Sequence, residues 1–467
     1  MLIPILLVLA TAAQPAADFD ARFTGRTLRF DYHHAGDARE EHVALDALRL
    51  EGPWPGSRTQ LVDTTNLGKY LFEAVDPATQ AVVYSRGFAS IYGEWETTGE
   101  AKKVWRAFEE SQRLPEPRMP VQLVLKKRQG DGTFREIFAQ LVDPASRFVD
   151  RSALAGGARV IPILESGAPA GKLDILVLAD GYTAGEAGKF ESDARRLAGV
   201  LLDTEPYRTR RGDISVRALH VPSPDSGISD PRRGEWKANP LGCSFNAFDT
   251  DRYVLTSRNR ELREAAAQAP CDALILLFNA RKYGGGGIFN LWATCASDSS
   301  ESAYVFVHEF GHSFGGLADE YYSSQVSYED FIAPGTEPWE PNVTALLDPA
   351  RLKWKDLVAA GTPLPTPWGK QAYDVRDLEY QARRKEIAAT GDDAAAEALM
   401  AEVKHATKAL LEADAHFGEV GAFEGASYEP KGLYRPEVDC IMFTRNPSSF
   451  CRVCARAIDR AIDLYAR

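Results

Sequence analysis

Short runs of apolar residues, separated by turn-forming residues, divide the first third of the chain into predicted β-strands. Strand-like runs lie at residues 27–32, 69–74, 81–84 and 121–126, and Gly130-Asp131-Gly132 marks one of the turns. Short strands with regular turn signals are typical of a β-sandwich. The pattern predicts an N-terminal β-sandwich domain over residues 18–155. His33, His34 and His42 are predicted to be surface residues of a strand pair, and the adjacent His33 and His34 make a poor metal pair because neighbouring side chains of a strand point to opposite faces.

The pattern changes after residue 156, where longer and continuously apolar runs begin. Runs at 172–179, 214–221 and 272–278 predict buried strands, and Thr183 with Glu186 predicts a capped helix that ends near Leu202. This order of strands and helices predicts an α/β layer with a mostly parallel sheet. Residues 156–467 are therefore predicted to form a second, larger domain. Its residues 375–415 predict two charged, alanine-rich helices packed as a hairpin on that domain.

The strongest candidate chemistry is the HExxH pattern formed by His308, Glu309 and His312. The apolar run at 304–307 just before it predicts a buried helix, and histidines four residues apart on a helix share one face. Two imidazoles in that arrangement can bind one metal ion, and Glu309 lies where it can take a proton from a water on that metal. The pattern predicts a catalytic Zn²⁺ site with Glu309 as the general base.

A catalytic zinc ion needs a third protein ligand, and two neighbouring acids are candidates. Gly315-Gly316 predicts that the helix stops three residues after His312. A helix that continued would place Asp319 about 10 Å further along the axis, too far to share the metal. If the chain turns back, Asp319 can reach the metal, with Glu320 as the alternative third ligand. A ligand from a distant segment also stays open.

Four successive glycines, residues 284–287, precede Ile288 and predict an edge strand rather than an interior one. Glycines let another backbone approach closely, and an exposed edge can pair with an extended peptide. Gly285, Gly286, Gly287 and Ile288 are therefore predicted to bind the substrate. The alternative is a flexible loop. A phosphate-binding Walker A loop is excluded because no Gly-Lys-Ser/Thr follows.

Length, charge and the N-terminus limit the classes of protein that fit. A chain of 467 residues predicts more than one domain, and a net charge of −12 argues against nucleic-acid or anionic-membrane partners. Residues 1–17 are an apolar run that ends in small residues, and Ala10-Thr11-Ala12 fits a signal-peptide cleavage site. This segment predicts a signal peptide and a secreted or periplasmic protein.

The cysteines give a second indication of export. The chain has six of them, and an even number in an exported protein favours disulfide bonds. Cys451 and Cys454 form a CxxC pair that could be half of a structural zinc site. Because no second CxxC pair completes such a site, disulfides are the favoured prediction, and the sequence does not choose their pairing.

Six segments of the chain together suggest a known family. They are YSRGFASIYGEWETT at 84–98, HVPSPDSGISDP at 220–231, KYGGGGIFN at 282–290, HEFGHSFGGLADEYY at 308–322, YRPEVDCIMF at 434–443 and FCRVC at 450–454. In these segments the chain resembles the IgA metallopeptidase family of secreted bacterial zinc peptidases. The resemblance implies a β domain followed by a metzincin-like catalytic domain with endopeptidase activity. It implies that Met442 lies in a turn beneath the metal. It also implies that the hairpin at about 375–415 is an insertion relative to the family core.

The chain departs from the usual metzincin pattern at one position. The usual third ligand lies six residues after the second histidine, where this chain has Ala318, and the acids follow one and two residues later.

The patterns and the resemblance together predict a multidomain chain, with an N-terminal β-sandwich followed by an α/β metzincin-like zinc-peptidase domain carrying a helical insertion.

The predicted function is that of a secreted zinc endopeptidase acting on protein or peptide substrates, with no nucleic-acid or membrane partner. The alternative is a secreted binding or adhesion protein with a structural or vestigial metal site. The intact Glu309 favours the enzyme, because a structural metal site needs no general base.

Overall fold

The computed structural model describes residues 19–154, 156–323, 332–333, 335–390, 393–446 and 449–466. The predicted signal peptide, residues 1–17, lies outside the described residues. None of the helices in these ranges combines the length and the apolar character that a membrane crossing requires.

The first part of the chain is built from β-strands in two sheets. Its elements are α1 (Phe19–Arg22), β1 (Phe23–Gly36), β2 (Glu41–Pro53), β3 (Tyr70–Val75), β4 (Val82–Phe88), α2 (Ile91–Trp95), β5 (Arg106–Pro117), β6 (Val121–Arg128), β7 (Phe134–Val142) and β8 (Val149–Asp150). One sheet has the order β5-β1-β2-β8 and the other the order β4-β3-β6-β7. All neighbours in them pair antiparallel except β2 with β8.

Aromatic side chains fill the space between these two sheets. Phe30 of β1 is fully buried, and its ring lies 5.6 Å from that of Phe138 in β7 and 6.3 Å from that of Phe72 in β3. Because β1 belongs to one sheet and the other two strands to the second, these contacts join the sheets face to face. The layered β arrangement predicted for this part of the chain is therefore observed.

The prediction that His33 and His34 are both surface residues is wrong for His34. The side chain of His33 is 45 % exposed, whereas His34 is 2 % exposed. The two ring nitrogens of His34 lie 3.2 Å from a carboxylate oxygen of Glu110 and 3.2 Å from one of Glu41. The alternation of side chains along β1 turns one histidine outward and the other inward, where two acids compensate its burial.

The second part of the chain mixes strands and helices. Its elements are β9 (Arg159–Leu164), β10 (Leu173–Asp180), α3 (Ala187–Asp203), β11 (Ile214–His220), α4 (Asn259–Ala266), β12 (Ala273–Phe278), β13 (Gly285–Ile288), β14 (Trp292–Ala296), α5 (Ser302–Gly315), α6 (Lys370–Thr390), α7 (Asp393–Glu412), β15 (Phe423–Ala426), β16 (Glu429–Arg435) and α8 (Arg452–Asp463). The predicted capping box of Thr183 and Glu186 is present, just before α3.

A six-stranded sheet forms the centre of this part, in the order β13-β14-β12-β10-β11-β9. Neighbouring strands from β14 to β11 run parallel, while β13 and β9 lie antiparallel at the two edges. The mostly parallel sheet and the edge position of β13 agree with the sequence patterns. Parallel central strands are buried on both faces, which explains their continuous apolar runs.

Helix α5 packs beside the edge strand β13, and most residues of the helix are buried. Val305, Phe306, Phe310 and Phe314 join the core together with residues of α3 and α8. The rings of Phe310 and Phe314 stack at 5.2 Å, and the Phe310 ring lies 5.7 Å from that of Tyr207. A helix held on several sides is a rigid support for the polar residues that it carries.

Helices α6 and α7 form the predicted hairpin and are joined by an ion pair between Arg383 and Glu402, 2.6 Å apart. That this hairpin is an insertion relative to the family core stays a prediction. The domain boundary at residue 155 and the likeness of the second domain to metzincins also stay predictions. The break predicted at residues 391–392 lies outside the described residues.

The structure corrects the prediction of disulfide bonds. All six cysteines lie in the described residues, and all are free and buried. Cys243, Cys271 and Cys295 lie at separate positions of the core, on different strands and loops. The other three gather around Glu320 and are discussed below. The even number of cysteines therefore does not correspond to disulfide bonds in this structure.

Candidate metal centre

The end of α5 turns the chain back toward the two histidines of that helix. The helix ends at Gly315, and Gly316 has a left-handed backbone with φ of 63°. Its N–H donates to the His312 carbonyl at 3.1 Å, and the Leu317 N–H donates to the Gly311 carbonyl at 3.3 Å. These bonds form a glycine-dependent helix stop. The stop lies where the two glycines predict it and frees residues 317–320 to return along the helix.

Asp319 returns to meet His308 and His312. Its Oδ1 atom lies 3.1 Å from His308 Nε2 and 3.2 Å from His312 Nε2, and the two Nε2 atoms are 3.1 Å apart. The three atoms thus form a nearly equilateral triangle. Zinc bonds of about 2.0–2.2 Å in a tetrahedral site place ligand atoms about 3.3 Å apart, so the triangle fits such an ion.

The outer nitrogens of both imidazoles point to backbone carbonyls, which fixes the tautomers. His308 Nδ1 lies 3.0 Å from the carbonyl oxygen of Ile441 and 3.0 Å from the hydroxyl of Tyr304. His312 Nδ1 lies 2.6 Å from the carbonyl oxygen of Leu317. A carbonyl only accepts, so each Nδ1 carries the proton and each Nε2 lone pair faces the triangle. Metal-binding histidines are generally held in this way.

The turn between β15 and β16 holds Asp319 in place. The Tyr428 hydroxyl donates to Asp319 Oδ2 in a short hydrogen bond, and the Ser427 N–H donates to the Asp319 carbonyl at 3.0 Å. The Tyr428 N–H also donates to the Tyr321 carbonyl at 3.0 Å. One carboxylate oxygen is therefore anchored, which directs the other into the triangle.

The surroundings of Asp319 Oδ1 show whether the triangle suits a cation. This oxygen is buried and accepts no hydrogen bond, although the residue is only 7 % exposed. Burial alone would raise the pKa of Asp319, but the neighbouring His312 and His308 hold it well below the usual range. A buried, ionised oxygen without a donor is costly unless a cation compensates it. The donor set of two imidazoles and one carboxylate suits zinc.

Glu309 lies between the two histidines in sequence and lines the adjoining cleft. Burial raises the pKa of its carboxyl group above the ordinary value, the histidines oppose this shift, and Asp319 adds to it. A carboxylate with raised proton affinity is suited to accept a proton and return it.

The turn that carries Met442 lies directly against α5. A Cβ atom added at Gly311 would come within 3.1 Å of Met442 Sδ and 2.9 Å of the Phe450 ring, so glycine is needed there. Met442 is fully buried, and its carbonyl accepts from the Glu320 N–H at 2.8 Å. The preceding Ile441 carbonyl is the one that faces His308 Nδ1. Met442 therefore packs against α5 at Gly311, the residue before His312, and its place beneath the metal stays a prediction.

A cleft of about 310 Å³ opens above the triangle, and both parts of the chain line it. The N-terminal part contributes Lys69, Ala89, Gly93 and Glu94. The helical hairpin forms one wall, through Tyr373, Arg376, Tyr380 and Arg384 of α6 and Met400 and Val403 of α7. The hairpin is therefore part of the candidate site, which its charged, alanine-rich sequence does not indicate.

The predicted substrate strand lines the cleft only in part. Gly285 and Gly287 face it, whereas Gly286 and Ile288 do not. The N–H and carbonyl of Gly285 already bond to the Arg252 carbonyl at 3.3 Å and the Val254 N–H at 3.2 Å. The segment around Arg252 and Val254 thus covers the end of the edge at Gly285, while the end near Gly287 also faces the cleft. The role of these four residues in substrate binding stays a prediction.

The glycines of β13 are required because α5 leaves no room for side chains there, a requirement that cannot be read from the sequence. A Cβ atom at Gly287 would lie 2.3 Å from the Glu309 carbonyl oxygen and 2.9 Å from His312 Cβ. One at Gly285 would lie 2.6 Å from Val305 Cγ1 and 3.1 Å from Glu309 Cγ. The strand is glycine-rich because α5 packs directly on it.

Glu320, the alternative third ligand, faces away from the histidines. It is fully buried, and its Oε1 accepts from Asn342 Nδ2 at 3.0 Å and lies 3.1 Å from Cys454 Sγ. The structure brings Asp319, and not Glu320, to His308 and His312.

Three arginines surround one side of the cleft and have no carboxylate within ion-pair distance in the described residues. They are Arg252, Arg384 and Arg445. Arg445 lies over the Tyr283 ring at 4.8 Å and Arg252 over the same ring at 5.7 Å. The surrounding protein and the positive charges of Arg252 and Arg445 lower the pKa of Arg384. These residues are far apart in sequence, so no local pattern identifies them.

The comparisons with known proteins agree with this architecture. The sequence profile described as IgA Peptidase M64 matches residues 161–462, more than half of the chain, and the profile described as Peptidase M64 N-terminus matches residues 18–139. No curated protein matches the chain. Membership of a peptidase family implies proteolytic activity on protein or peptide substrates. The chain belongs to the IgA Peptidase M64 family, which confirms the family indicated by its sequence motifs.

Proposed function

We propose that this peptidase is a secreted, zinc-dependent endopeptidase with Glu309 as its general base. The observation that carries the proposal is the triangle of His308 Nε2, His312 Nε2 and Asp319 Oδ1, whose edges are 3.1–3.2 Å. These three residues hold the zinc ion. Bound zinc supplies Lewis-acid polarisation and makes a nucleophilic water available near neutral pH.

Glu309 moves the proton. Its carboxylate accepts a proton from the attacking water and passes it to the amine that leaves when the peptide bond breaks. Partial burial and the nearby negative charge of Asp319 raise the proton affinity of Glu309, which supports this role. The neighbouring His308 and His312 oppose this rise in its pKa.

The residues around the triangle orient it. The carbonyls of Ile441 and Leu317 fix the rings of His308 and His312, and the Tyr428 hydroxyl fixes Asp319. The turn with Met442 supports the floor of the site, as the metzincin likeness implies. Groups fixed in advance lose little entropy when the transition state forms.

The substrate lies in the cleft as an extended peptide and pairs with the part of β13 near Gly287. Helices α6 and α7 cover it from the opposite side, which limits access of water to the reacting bond. Residues 1–17 direct export, in keeping with their apolar run and the small residues that follow it.

The test compares the zinc content and peptide hydrolysis of the wild type with those of Glu309→Gln. The variant should keep its zinc and lose about 10²–10⁴-fold in kcat, since only the proton-transferring group is removed. Glu301→Gln, just before the same helix and outside the cleft, is the matched control and should keep normal activity.

Hydrolysis that persists in zinc-loaded Glu309→Gln would refute the assignment of the base. A wild type that binds zinc yet cleaves no protein or peptide would instead support a binding or adhesion protein with a vestigial site. A wild type whose cleavage is unaffected by a chelator that removes its metal would refute the zinc mechanism.

A further inference from the structure

A second cluster of metal-binding residues lies behind the Met442 turn. We call it the thiol cluster, and it consists of Glu320, Cys440, Cys451 and Cys454. One ligand atom from each residue lies within 4.8 Å of every other, and all four residues are buried. None of them belongs to the triangle of His308, His312 and Asp319.

Glu320 gives the cluster a buried carboxylate with one unpartnered oxygen. The residue is fully buried, and its Oε2 atom accepts no hydrogen bond. Its Oε1 atom lies 3.1 Å from Cys454 Sγ. No lysine or arginine comes within ion-pair distance of it in the described part of the chain. A buried carboxylate oxygen without a partner, aimed among thiols, points to a bound cation.

Backbone amides are directed at the sulfur atoms. The Cys451 N–H donates to Cys440 Sγ at 3.2 Å, and the Cys454 N–H donates to Cys451 Sγ at 3.5 Å. Cys451 is the N-cap of the 12-residue helix α8, so the positive end of that helix faces the same sulfurs. Both contributions favour thiolates, the form in which cysteine binds metals.

We propose that the thiol cluster binds a second zinc ion, with a structural role. Three thiolates and one carboxylate complete four-coordinate, closed ligation, which is typical of structural zinc sites, and leave no position for a substrate. The CxxC pair of Cys451 and Cys454 is one half of the site. The other half comes from Cys440 and Glu320, which are distant in sequence and form no second CxxC pair.

A disulfide explains these observations less well. Any bridge among the three cysteines would leave the Glu320 carboxylate buried beside neutral sulfur atoms, with no ion pair to it among the described residues and only the more distant charge of Arg435 acting on it. A redox role would require access from solvent, but Cys440, Cys451 and Cys454 are 1 %, 6 % and 0 % exposed.

The second zinc ion joins three segments beneath the catalytic site. Glu320 is adjacent to Asp319, Cys440 begins the turn that contains Met442, and Cys451 begins α8. The Glu320 N–H also donates to the Met442 carbonyl at 2.8 Å. Fixing Glu320 therefore helps to fix Asp319, while the thiol cluster itself touches no substrate.

The test loads the metal-stripped wild type with Co²⁺ and records its absorption spectrum. Thiolate-to-cobalt charge transfer in the near ultraviolet is expected, and it can come only from the thiol cluster because the histidine triangle contains no sulfur. Zinc analysis of the untreated wild type should give about two ions per chain, and His312→Ala should retain about one.

Two substitutions separate the sites. Cys454→Ser should lose the charge-transfer band and about one zinc ion, while Cys271→Ser, a fully buried cysteine outside the cluster, should keep both. If Cys454→Ser does not fold, the wild-type spectrum still decides.

A wild-type chain without the band would overturn the proposal, as would a disulfide found among the three cysteines by mass spectrometry under non-reducing conditions. Either result would leave the histidine site untouched. A wild type whose cobalt form shows the band but whose zinc-loaded form cleaves no peptide would instead count against the proposed peptidase mechanism alone.

Discussion

Asp319 and Glu320 are adjacent in the sequence, yet their carboxylates reach two different clusters. Asp319 Oδ1 lies 3.1 Å from His308 Nε2, whereas Glu320 Oε1 lies 3.1 Å from Cys454 Sγ. In an extended segment successive side chains point to opposite sides, so one short loop after α5 serves both. The position of Asp319 depends on its hydrogen bonds and on its neighbour, and both can be altered without changing the ligand itself.

The first prediction concerns the hydrogen bond from Tyr428 to Asp319. Tyr428→Phe removes the donor that anchors Asp319 Oδ2 and keeps the ring. Loss of such an outer partner costs about 10–100-fold in metal affinity or activity, so zinc affinity should fall by that factor. A competition titration with a zinc-binding dye measures it.

Tyr434→Phe is the matched control, since this tyrosine lies on the neighbouring strand β16 and does not line the cleft. Equal zinc affinities for the two variants would contradict the anchoring role of Tyr428.

The HExxH motif could be predicted because its chemistry is local. Two histidines one turn apart and a glycine stop after them are short-range features, and α5 and Gly316 agree with the expectation. The mostly parallel sheet was predictable for a similar reason, because buried parallel strands carry continuous apolar runs. These features depend on residues that are neighbours in the chain.

The remaining features depend on contacts between distant residues. Cys440 and Glu320 complete the thiol cluster from segments more than a hundred residues apart, so the CxxC pair alone indicated half a site and favoured disulfides. The hairpin was predicted as a solvated pair of helices, because its sequence does not show which face meets the cleft. The burial of His34 depends on Glu110, which comes from another strand.

The second prediction concerns the fit between β13 and α5. Gly287→Ala would place a methyl group 2.3 Å from the Glu309 carbonyl oxygen, so the helix or the strand has to shift. Overpacking of this kind costs about 1–3 kcal/mol, and a shift of Glu309 and His312 should also lower kcat. Thermal unfolding and peptide hydrolysis measure the two effects.

Gly188→Ala in α3 is the matched control because an added methyl group meets nothing within 4 Å. That substitution should leave activity unchanged and slightly raise stability, since alanine favours a helix over glycine. A Gly287→Ala protein as stable and active as this control would show that the two elements need not pack so closely.

The third prediction concerns substrate charge. Arg252, Arg384 and Arg445 line the cleft without a carboxylate partner in the described residues, so an acidic substrate side chain should bind better than its neutral analogue. At this partly exposed site the gain is roughly 1 kcal/mol, or about fivefold in kcat/KM. Paired peptides that differ only in Glu or Gln at each position would measure it.

Arg252→Gln should reduce the preference for Glu, whereas Arg281→Gln, an exposed residue outside the cleft, should not. A preference that is the same in both variants would exclude Arg252 as its source. Raising the salt concentration should also weaken the preference in the wild type.

The last prediction concerns pH and the buried His34. Burial alone would lower its pKa, but Glu110 and Glu41 raise it to about 9 from the ordinary 6.5. A pKa that is higher in the folded state gives stability that is fully present below pH 6.5 and is lost as the pH rises through 9. The shift corresponds to roughly 3 kcal/mol. The difference in unfolding temperature between the wild type and His34→Gln should therefore be large at pH 6 and should shrink between pH 7 and pH 10.

His33→Gln is the control, because this neighbouring histidine is on the outer face of β1 and its side chain is 45 % exposed. Its unfolding temperature should follow that of the wild type at every pH. Glu41 adds the opposite dependence at the acidic end, where its pKa is lowered to about 2 by His34 and Lys127 against the effect of burial. Stability from Glu41 is present above about pH 4.5 and is lost as the pH falls toward 2. A difference between His34→Gln and the wild type that stays constant from pH 6 to pH 10 would mean that His34 is neutral in the folded protein.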